Sequence, residues 1–302
     1  MEFPGHIGLV PGRIAACFII SGDIRSHMVR TLVLHDRDGA DSAGLLARLL
    51  GPAMTVPLSS GPADFSDTLA CVLILAPSGL TPAGLERLAR SVPSHLPVAL
   101  WLLPAPGAAE RFRAAAEAFG DRLVLAVTVP SDPESFIAAG LALRRRFLRT
   151  APGMPAEELR ALIFAELAAR NTCTLCTGHG DEVRATPIEY LLLDDRLYLL
   201  SEGGEKFAHL HLNPHVSVAV YDPYVSMDAL FGLQLSGRAT LVPPGSPESD
   251  RVLQARGLSA SRLARLPVLV HLIRIDLEEA ELVSSEAKRR GFAARQRTSL
   301  TP

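Results

Sequence analysis

The sequence predicts two domains of different classes, an α/β domain with a parallel sheet followed by a mainly antiparallel β-barrel. Three observations support this prediction. Apolar strand patterns alternate with helix patterns over the first half of the chain, as in successive βα units. Residues 149–155 then contain two prolines and one glycine, which is typical of a domain boundary. Beyond them, the periodicity changes to the two-residue alternation of short strands.

Size and composition agree with two globular cores, because the 302 residues are 48% hydrophobic and only 21% charged. The net charge is −2 and the basic residues are dispersed, so we expect no nucleic-acid partner. No apolar run reaches the roughly 20 residues that cross a bilayer, so we expect no membrane contact. Four cysteines are too few for a disulfide scaffold. The composition therefore predicts a cytoplasmic protein.

Three segments follow from these patterns. Residues 1–27 precede the first strand pattern and are either an appendage or an over-extended start. Residues 28–150 form the α/β domain, and residues 151–302 form the barrel.

The α/β domain is predicted to contain five strands and four helices. A continuous apolar run in the third strand indicates burial on both faces. The strands are Val29–His35, Met54–Leu58, Leu69–Ala76, Pro97–Leu103 and Arg122–Val129, and the helices are Ser42–Leu50, Pro82–Ser91, Ala108–Phe119 and Pro133–Phe147. Their order and spacing resemble flavodoxin-like folds, which place ligands at the carboxyl ends of the strands.

The loop after the first strand does not favour a phosphate group. It contains Asp36, Asp38 and Asp41, whose carboxylates would repel a dianion. Asp41 or Ser42 is expected to cap the next helix instead. No glycine-rich dinucleotide motif follows any strand, and no lysine precedes Lys206, as a receiver-like pocket would require. We therefore expect a structural or partner-binding domain.

The C-terminal half begins with a predicted helix and continues with short strands joined by turns. Asp194 and Asp195 are expected to form a hairpin turn. The helices are Ala156–Arg170, Gly203–Leu212 and Leu258–Leu266, and the strands are Thr172–Thr177, Arg184–Leu193, Leu197–Ser201, Val216–Tyr221, Leu230–Val242 and Val268–Ile275.

Three sequence segments occur here in a recognisable order: CTLCTGHGDEVRATPIEY, DDRLYLLSEGGEKFAHLHLNPHVSVAVYDP and LQLSGRATLV. Over residues 156–284 they resemble the pyridoxamine 5′-phosphate oxidase-like family of FMN-binding split barrels. The chain departs from the family pattern at His211, where the family has Asn, and at Glu182-Val183, where it has a turn proline. The paired basic residues that bind the substrate phosphate have no counterpart. The resemblance implies an FMN-dependent oxidoreductase with another substrate.

The same resemblance implies a cofactor site. Lys206, which follows Gly203-Gly204, matches the residue that binds the FMN phosphate, and Arg184 could add a second phosphate contact. Gln234 matches an amide that reaches the flavin of the partner subunit. The implied cofactor-binding residues are Arg184, Thr186, Pro187, Ile188, Ser201, Lys206 and Gln234. No catalytic residue is identified, and the electrons are expected from a reduced nicotinamide or a protein donor.

Two clusters could suggest a metal or haem ligand. Cys173 and Cys176 precede His179, but residues i and i+3 of a strand face opposite sides, so we expect core packing and no metal. His211 and His215 flank an Asn-Pro turn together with His209, and all three are expected at the surface. The histidines leave haem, another tetrapyrrole or F420 open as the ligand. A non-catalytic flavin sensor is a further alternative.

A homodimer through the barrel is the expected assembly, because one split barrel would cover only one side of each flavin ring. Strands Val216–Tyr221 and Leu230–Val242 are expected to offer more apolar surface than a lone barrel can bury.

Overall fold

A computed structural model describes residues 30–76, 81–104, 106–150, 153–263 and 265–301. The extension that we predict for residues 1–27 lies outside these ranges. The chain divides into two compact units, Met1–Arg144 and Arg145–Pro302. The domain bounds that the sequence suggests, near residues 150 and 151, stay a prediction.

The first unit contains a five-stranded parallel sheet with the strand order β2-β1-β3-β4-β5. This is the order of five-stranded flavodoxin-like sheets. The predicted α/β class is confirmed. The strands are β1 (Arg30–His35), β2 (Ala53–Pro57), β3 (Thr68–Leu75), β4 (Val98–Leu102) and β5 (Leu123–Thr128), and the helices are α1 (Ala40–Leu50), α2 (Pro82–Ser91), α3 (Ala108–Phe119) and α4 (Pro133–Thr150).

Strands β3 and β4 are almost entirely apolar, as expected for strands that are covered on both faces. All five residues of β4 are buried, as are the last six of β3. Trp101 of β4 is completely buried, and its ring meets the Phe136 ring of α4 edge-on, with 5.2 Å between the centroids. Such burial supplies most of the folding free energy of a unit of this kind.

The loop between β1 and α1 corrects the predicted helix cap. Helix α1 begins at Ala40, its N-cap residue is Gly39, and no side chain caps it. Asp36 instead accepts hydrogen bonds from two backbone N–H groups, that of Gly39 at 2.9 Å and that of Ala76 after β3. A Cβ atom on Gly39 would lie 3.0 Å from the carbonyl oxygen of Ile74, so the residue must be small. The Asp36 carboxylate therefore joins the ends of two neighbouring strands.

The second unit is a curled antiparallel sheet of eight strands, and this confirms the split-barrel class. Seven strands follow the order β7-β6-β10-β11-β12-β9-β8, and β13 pairs with β12. The strands are β6 (Thr172–His179), β7 (Glu182–Glu189), β8 (Leu191–Leu193), β9 (Arg196–Ser201), β10 (His215–Tyr221), β11 (Phe231–Val242), β12 (His271–Ser284) and β13 (Arg295–Ser299), and the helices are α5 (Ala156–Ala168), α6 (Glu205–Leu212), α7 (Pro247–Ala255), α8 (Ala260–Leu263) and α9 (Ser285–Arg289).

The predicted strand Arg184–Leu193 is in fact two strands, because Tyr190 interrupts it. The Tyr190 hydroxyl donates to the carbonyl oxygen of Leu167 at 2.8 Å, and its N–H donates to that of Asn171 at 2.7 Å. These bonds attach the chain to the end of α5 at this point. The hairpin turn at Asp194-Asp195 is confirmed, and both residues have positive φ, 50° and 60°.

The surface that we predicted for β10 and β11 is wrong. Most of their large apolar side chains, including Val218 and Leu235, point into the barrel's own core, whereas Tyr221 and Leu241 are exposed. The opposite face of the two strands has Arg238 and the exposed Tyr221 towards its ends and four uncharged residues between them, namely Ser217, Ala219, Gln234 and Ser236. We call this four-residue surface the outer face. Strict alternation along each strand explains the error, since the apolar half of each strand is already buried.

Candidate functional site

The candidate site lies where β9 ends and α6 begins. Ser201 is the last residue of β9 and is buried, and its Oγ accepts a hydrogen bond from the Gly203 N–H at 3.4 Å. Gly203 and Gly204 follow with φ values of 119° and 101°, which residues with a side chain rarely adopt. Gly204 is the N-cap of α6 and brings no capping side chain. The N-terminus of α6 therefore begins with backbone donors and a partial positive charge.

Lys206 lies in the first turn of α6 and bends back over the two glycines. Its Nζ donates to the carbonyl oxygen of Gly203 at 2.6 Å. Burial and the nearby positive charge of Arg184 lower the pKa of Lys206, against a smaller opposite effect from Glu202. Among the described residues, no carboxylate forms an ion pair with this ammonium group, whose hydrogen-bond acceptor is the Gly203 carbonyl.

Strand β7 brings the second cation to the site. Arg184 is half-exposed and forms an ion pair with Glu205, the first residue of α6. Because Arg184 also lowers the pKa of Lys206, the two cations repel each other across the start of the helix. An anion between them would remove this repulsion.

The remaining predicted residues of β7 divide between its two faces. Thr186 and Ile188 lie on the same face as Arg184, and Ile188 packs against the barrel core. The Thr186 Oγ1 is buried and has no hydrogen-bond partner among the described residues. Pro187 is exposed on the other face. Strand β7 also comes close to β9, the strand that ends at Ser201.

Gln234 is not part of this group. It is exposed on β11, where it is aligned with Ala219 of β10 and Glu281 of β12. The structure thus brings Arg184, Ser201 and Lys206 together and leaves Gln234 on the outer face.

The sequence did not predict the role of His209, and its expected surface position is wrong. His209 is buried, with its Nδ1 3.1 Å from the Thr177 Oγ1 and its Nε2 3.4 Å from a Glu182 carboxylate oxygen. These contacts join α6, which carries Lys206, to the hairpin of β6 and β7, which carries Arg184. His211 and His215 are exposed, as predicted. The only sequence feature that could have indicated this position is the spacing of His209 and Lys206, which are three residues apart and therefore lie on the same side of a helix.

Cys173 and Cys176 face opposite sides of β6. Cys173 is in the core, where burial raises its pKa to about 12, whereas Cys176 is half-buried on the other side. Across the described ranges, no three His, Cys, Asp or Glu residues are grouped so that they could hold a metal ion. No helix in the described part of the chain is long and apolar enough to span a bilayer.

Comparison with known proteins agrees with this architecture. The sequence pattern of the pyridoxamine 5′-phosphate oxidase family matches residues 159–284. That stretch begins within α5 and ends with β12, so the C-terminal half of this chain contains a split-barrel domain of that family. No curated protein is similar enough to count as a match to the chain.

Several solved structures are similar to part of this chain. One is a candidate pyridoxamine 5′-phosphate oxidase from Listeria innocua, with 21% identity, a TM-score of 0.34, and coverage of 41% of this chain and 98% of the other. Another is an FAD-binding protein from Mesorhizobium loti, with 21% identity, a TM-score of 0.32, and coverage of 40% and 88%. A third is the haem storage protein HutZ from Vibrio cholerae, with 19% identity, a TM-score of 0.34, and coverage of 41% and 92%.

Proposed function

We propose that the C-terminal barrel binds FMN, with the phosphate at the start of α6, and that the protein is an oxidoreductase acting on a small molecule. One observation carries the proposal, namely the two cations Lys206 and Arg184 beside the paired glycines at a helix N-terminus. Positively charged side chains and helix N–H groups together are a common phosphate site.

The residues at the start of α6 fit a phosphate group if Arg184 exchanges its present partner, Glu205, for the phosphate. The carboxylate of Glu205 now neutralises Arg184, and a dianion would replace it there. Glu205 is largely exposed, so it can turn towards water at little cost. Lys206 would release the carbonyl oxygen of Gly203 at the same time.

The flavin ring would lie along β7, beside Ile188 and the unpartnered hydroxyl of Thr186. The chain would hold the ring and exclude water, and the flavin would supply the hydride chemistry, with electrons from a reduced nicotinamide or a protein donor. Gln234 would contact the flavin of a partner subunit. The outer face supports this pairing, since its four residues are uncharged and a second copy could pack against them without burying a charge there.

A spectrum of the purified protein separates the candidate ligands. Flavin absorption bands support the proposal, whereas a Soret band would favour haem and contradict it. A deazaflavin spectrum would instead favour F420. Protein that stays colourless after incubation with FMN would favour an interaction module.

Replacing Lys206 by Ala tests the phosphate position. We expect Lys206→Ala to weaken FMN binding by roughly 1.5–3 kcal/mol, the range for a hydrogen bond to a charged group. Lys288→Ala is the matched control, because Lys288 of α9 is the only other lysine in the chain. Riboflavin lacks the phosphate, so its affinity should change little in either variant. Equal losses for FMN and riboflavin would show that Lys206 supports the fold instead.

A further inference from the structure

A second cleft of about 570 Å³ lies in the barrel unit where Tyr190 separates β7 from β8. Its apolar walls are leucines from three elements, and a volume of this size is typical of small-molecule sites. The leucines are Leu167 of α5, Leu191 and Leu192 of β8, and Leu258 beyond α7.

Arg256, directly after α7, supplies the polar end of this cleft. Its side chain is only 12% exposed. One terminal nitrogen donates to the Glu189 carboxylate at 3.0 Å, and the other donates to the carbonyl oxygen of Tyr198 at 3.4 Å. The Nε is buried and has no acceptor among the residues that the structure describes. A buried guanidinium with an unused donor is a site for an incoming anion.

The other arginine of the cleft is already fully engaged. Arg170 forms ion pairs with Glu166 and Asp222, and its guanidinium lies 3.8 Å from the centre of the Phe231 ring. Arg256, in contrast, has one carboxylate partner, and the side chain of Glu189 is 60% exposed. Glu189 can therefore leave Arg256 for water when another carboxylate arrives.

The cleft is distinct from the proposed FMN site. Glu189 is the last residue of β7, and its side chain points to the opposite face of the strand from Ile188, beside which the flavin ring would lie. The cleft lining includes no residue of the loop between β9 and α6. The two sites can thus be occupied independently.

We propose that this cleft binds a small amphipathic monocarboxylate, whose apolar body contacts the leucines and whose carboxylate replaces that of Glu189 on Arg256. The terminal nitrogen of Arg256 that now donates to Glu189 would donate to the ligand carboxylate, and the other terminal nitrogen would keep its bond to the carbonyl oxygen of Tyr198.

Calorimetric titration of the full chain with octanoate and with 1-octanol, each with and without saturating FMN, tests this proposal. We expect octanoate to bind at least about tenfold more tightly than octanol, since only the acid can pair with Arg256. FMN should leave both affinities unchanged. Octanol binding as tightly as octanoate, or FMN displacing octanoate, would overturn the proposal. If the chain binds no FMN, the proposed function is disproved, but the comparison of octanoate with octanol still tests the cleft.

Two substitutions with opposite expected effects test the ion-pair exchange. Glu189→Gln removes the competing carboxylate and should tighten octanoate binding severalfold, whereas Arg256→Gln should weaken it about tenfold or more. Arg251→Gln is the control, because Arg251 lies on α7 but pairs with Asp194 outside the cleft. If Arg256→Gln does not fold, the octanoate affinity of Glu189→Gln alone tests the proposed site. Unchanged or weaker octanoate binding in Glu189→Gln, or an equal loss in Arg251→Gln, would refute the site.

Discussion

Lys206 and Arg184 come from different elements and meet only because the barrel curls. Both residues could already be named as candidate phosphate contacts from the sequence. Lys206 was the clearer candidate, since the chain has just two lysines and this one follows paired glycines. Glu205 as the partner of Arg184 was not predictable, because that ion pair joins residues 21 positions apart. The same holds for buried His209, whose contacts with Thr177 and Glu182 depend on the packing of α6. A sequence pattern shows which face of a single helix or strand is apolar. These contacts between distant residues depend instead on how the elements of the curled sheet pack together.

The lowered pKa of Lys206 predicts a pH dependence of FMN binding. Burial and Arg184 hold the pKa of this ammonium below its ordinary value of 10.5 in the free protein. As pH rises through that lowered pKa, Lys206 loses its proton and its attraction for the phosphate. We expect FMN affinity to fall at alkaline pH, with a midpoint below 10.5. Equilibrium titration between neutral and alkaline pH measures this.

Lys206→Arg provides the control for that titration, since a guanidinium stays charged over the whole range. Its FMN affinity should not fall with pH, and neither should the affinity of the parent chain for riboflavin. An identical alkaline loss in Lys206→Arg would assign the titration to another group.

At the scale of elements, the α/β half was the easier part to predict. Long apolar strands between amphipathic helices leave few alternatives, and all nine predicted elements of that half are present. In the barrel, the missed elements have weaker signals. Helix α9 has five residues, and β12 continues past Ile275 through four acidic residues before Leu282, which hides its apolar alternation. Helix α7 did have a signal, a Ser246 cap followed by Pro247.

The Asp36 carboxylate should contribute measurably to the stability of the first unit, because it accepts backbone N–H groups from the loops after β1 and β3. Asp36→Asn presents an NH₂ group to one of these donors and removes the charge. We expect a loss of about 1.5–3 kcal/mol in the free energy of unfolding, measured by urea titration. Asp38→Asn, at an exposed position of the same loop, should change it by less than about 0.5 kcal/mol. A similar small effect in both variants would contradict this role.

At the scale of the whole molecule, the two fold classes followed from the sequence, but one of the two reasons for expecting a dimer, the excess apolar surface, did not hold. Most of the large apolar side chains of β10 and β11 fill their own barrel. The outer face supports the proposed dimer for a different reason, which is that its four side chains are uncharged, so that two copies could pack there without burying a charge. The sequence alone does not show which face of β10 and β11 is buried, so it could not distinguish these two reasons for a dimer.

The proposed dimer predicts that a charge on the outer face reduces both association and cofactor affinity. Ala219→Glu places a carboxylate beside Gln234, and its copies would meet near the two-fold axis. We expect this variant to be monomeric by light scattering and to bind FMN more weakly, and the parent chain to lose FMN on dilution. Gln254→Glu, at an exposed position of α7, should change neither property. A parent chain that is monomeric and still binds FMN tightly would remove the dimer from the function.

The burial of Trp101 has a practical consequence. It is the chain's single tryptophan, and it lies in β4 of the α/β unit with no exposed surface. Its intrinsic fluorescence therefore reports on that unit alone, and emission should shift to longer wavelength only when the parallel sheet opens. A flavin held by the barrel would emit in a different spectral range. If FMN binds as proposed, each half would contain one optical reporter, and a single denaturation experiment at two emission wavelengths would show whether the halves unfold together or in sequence.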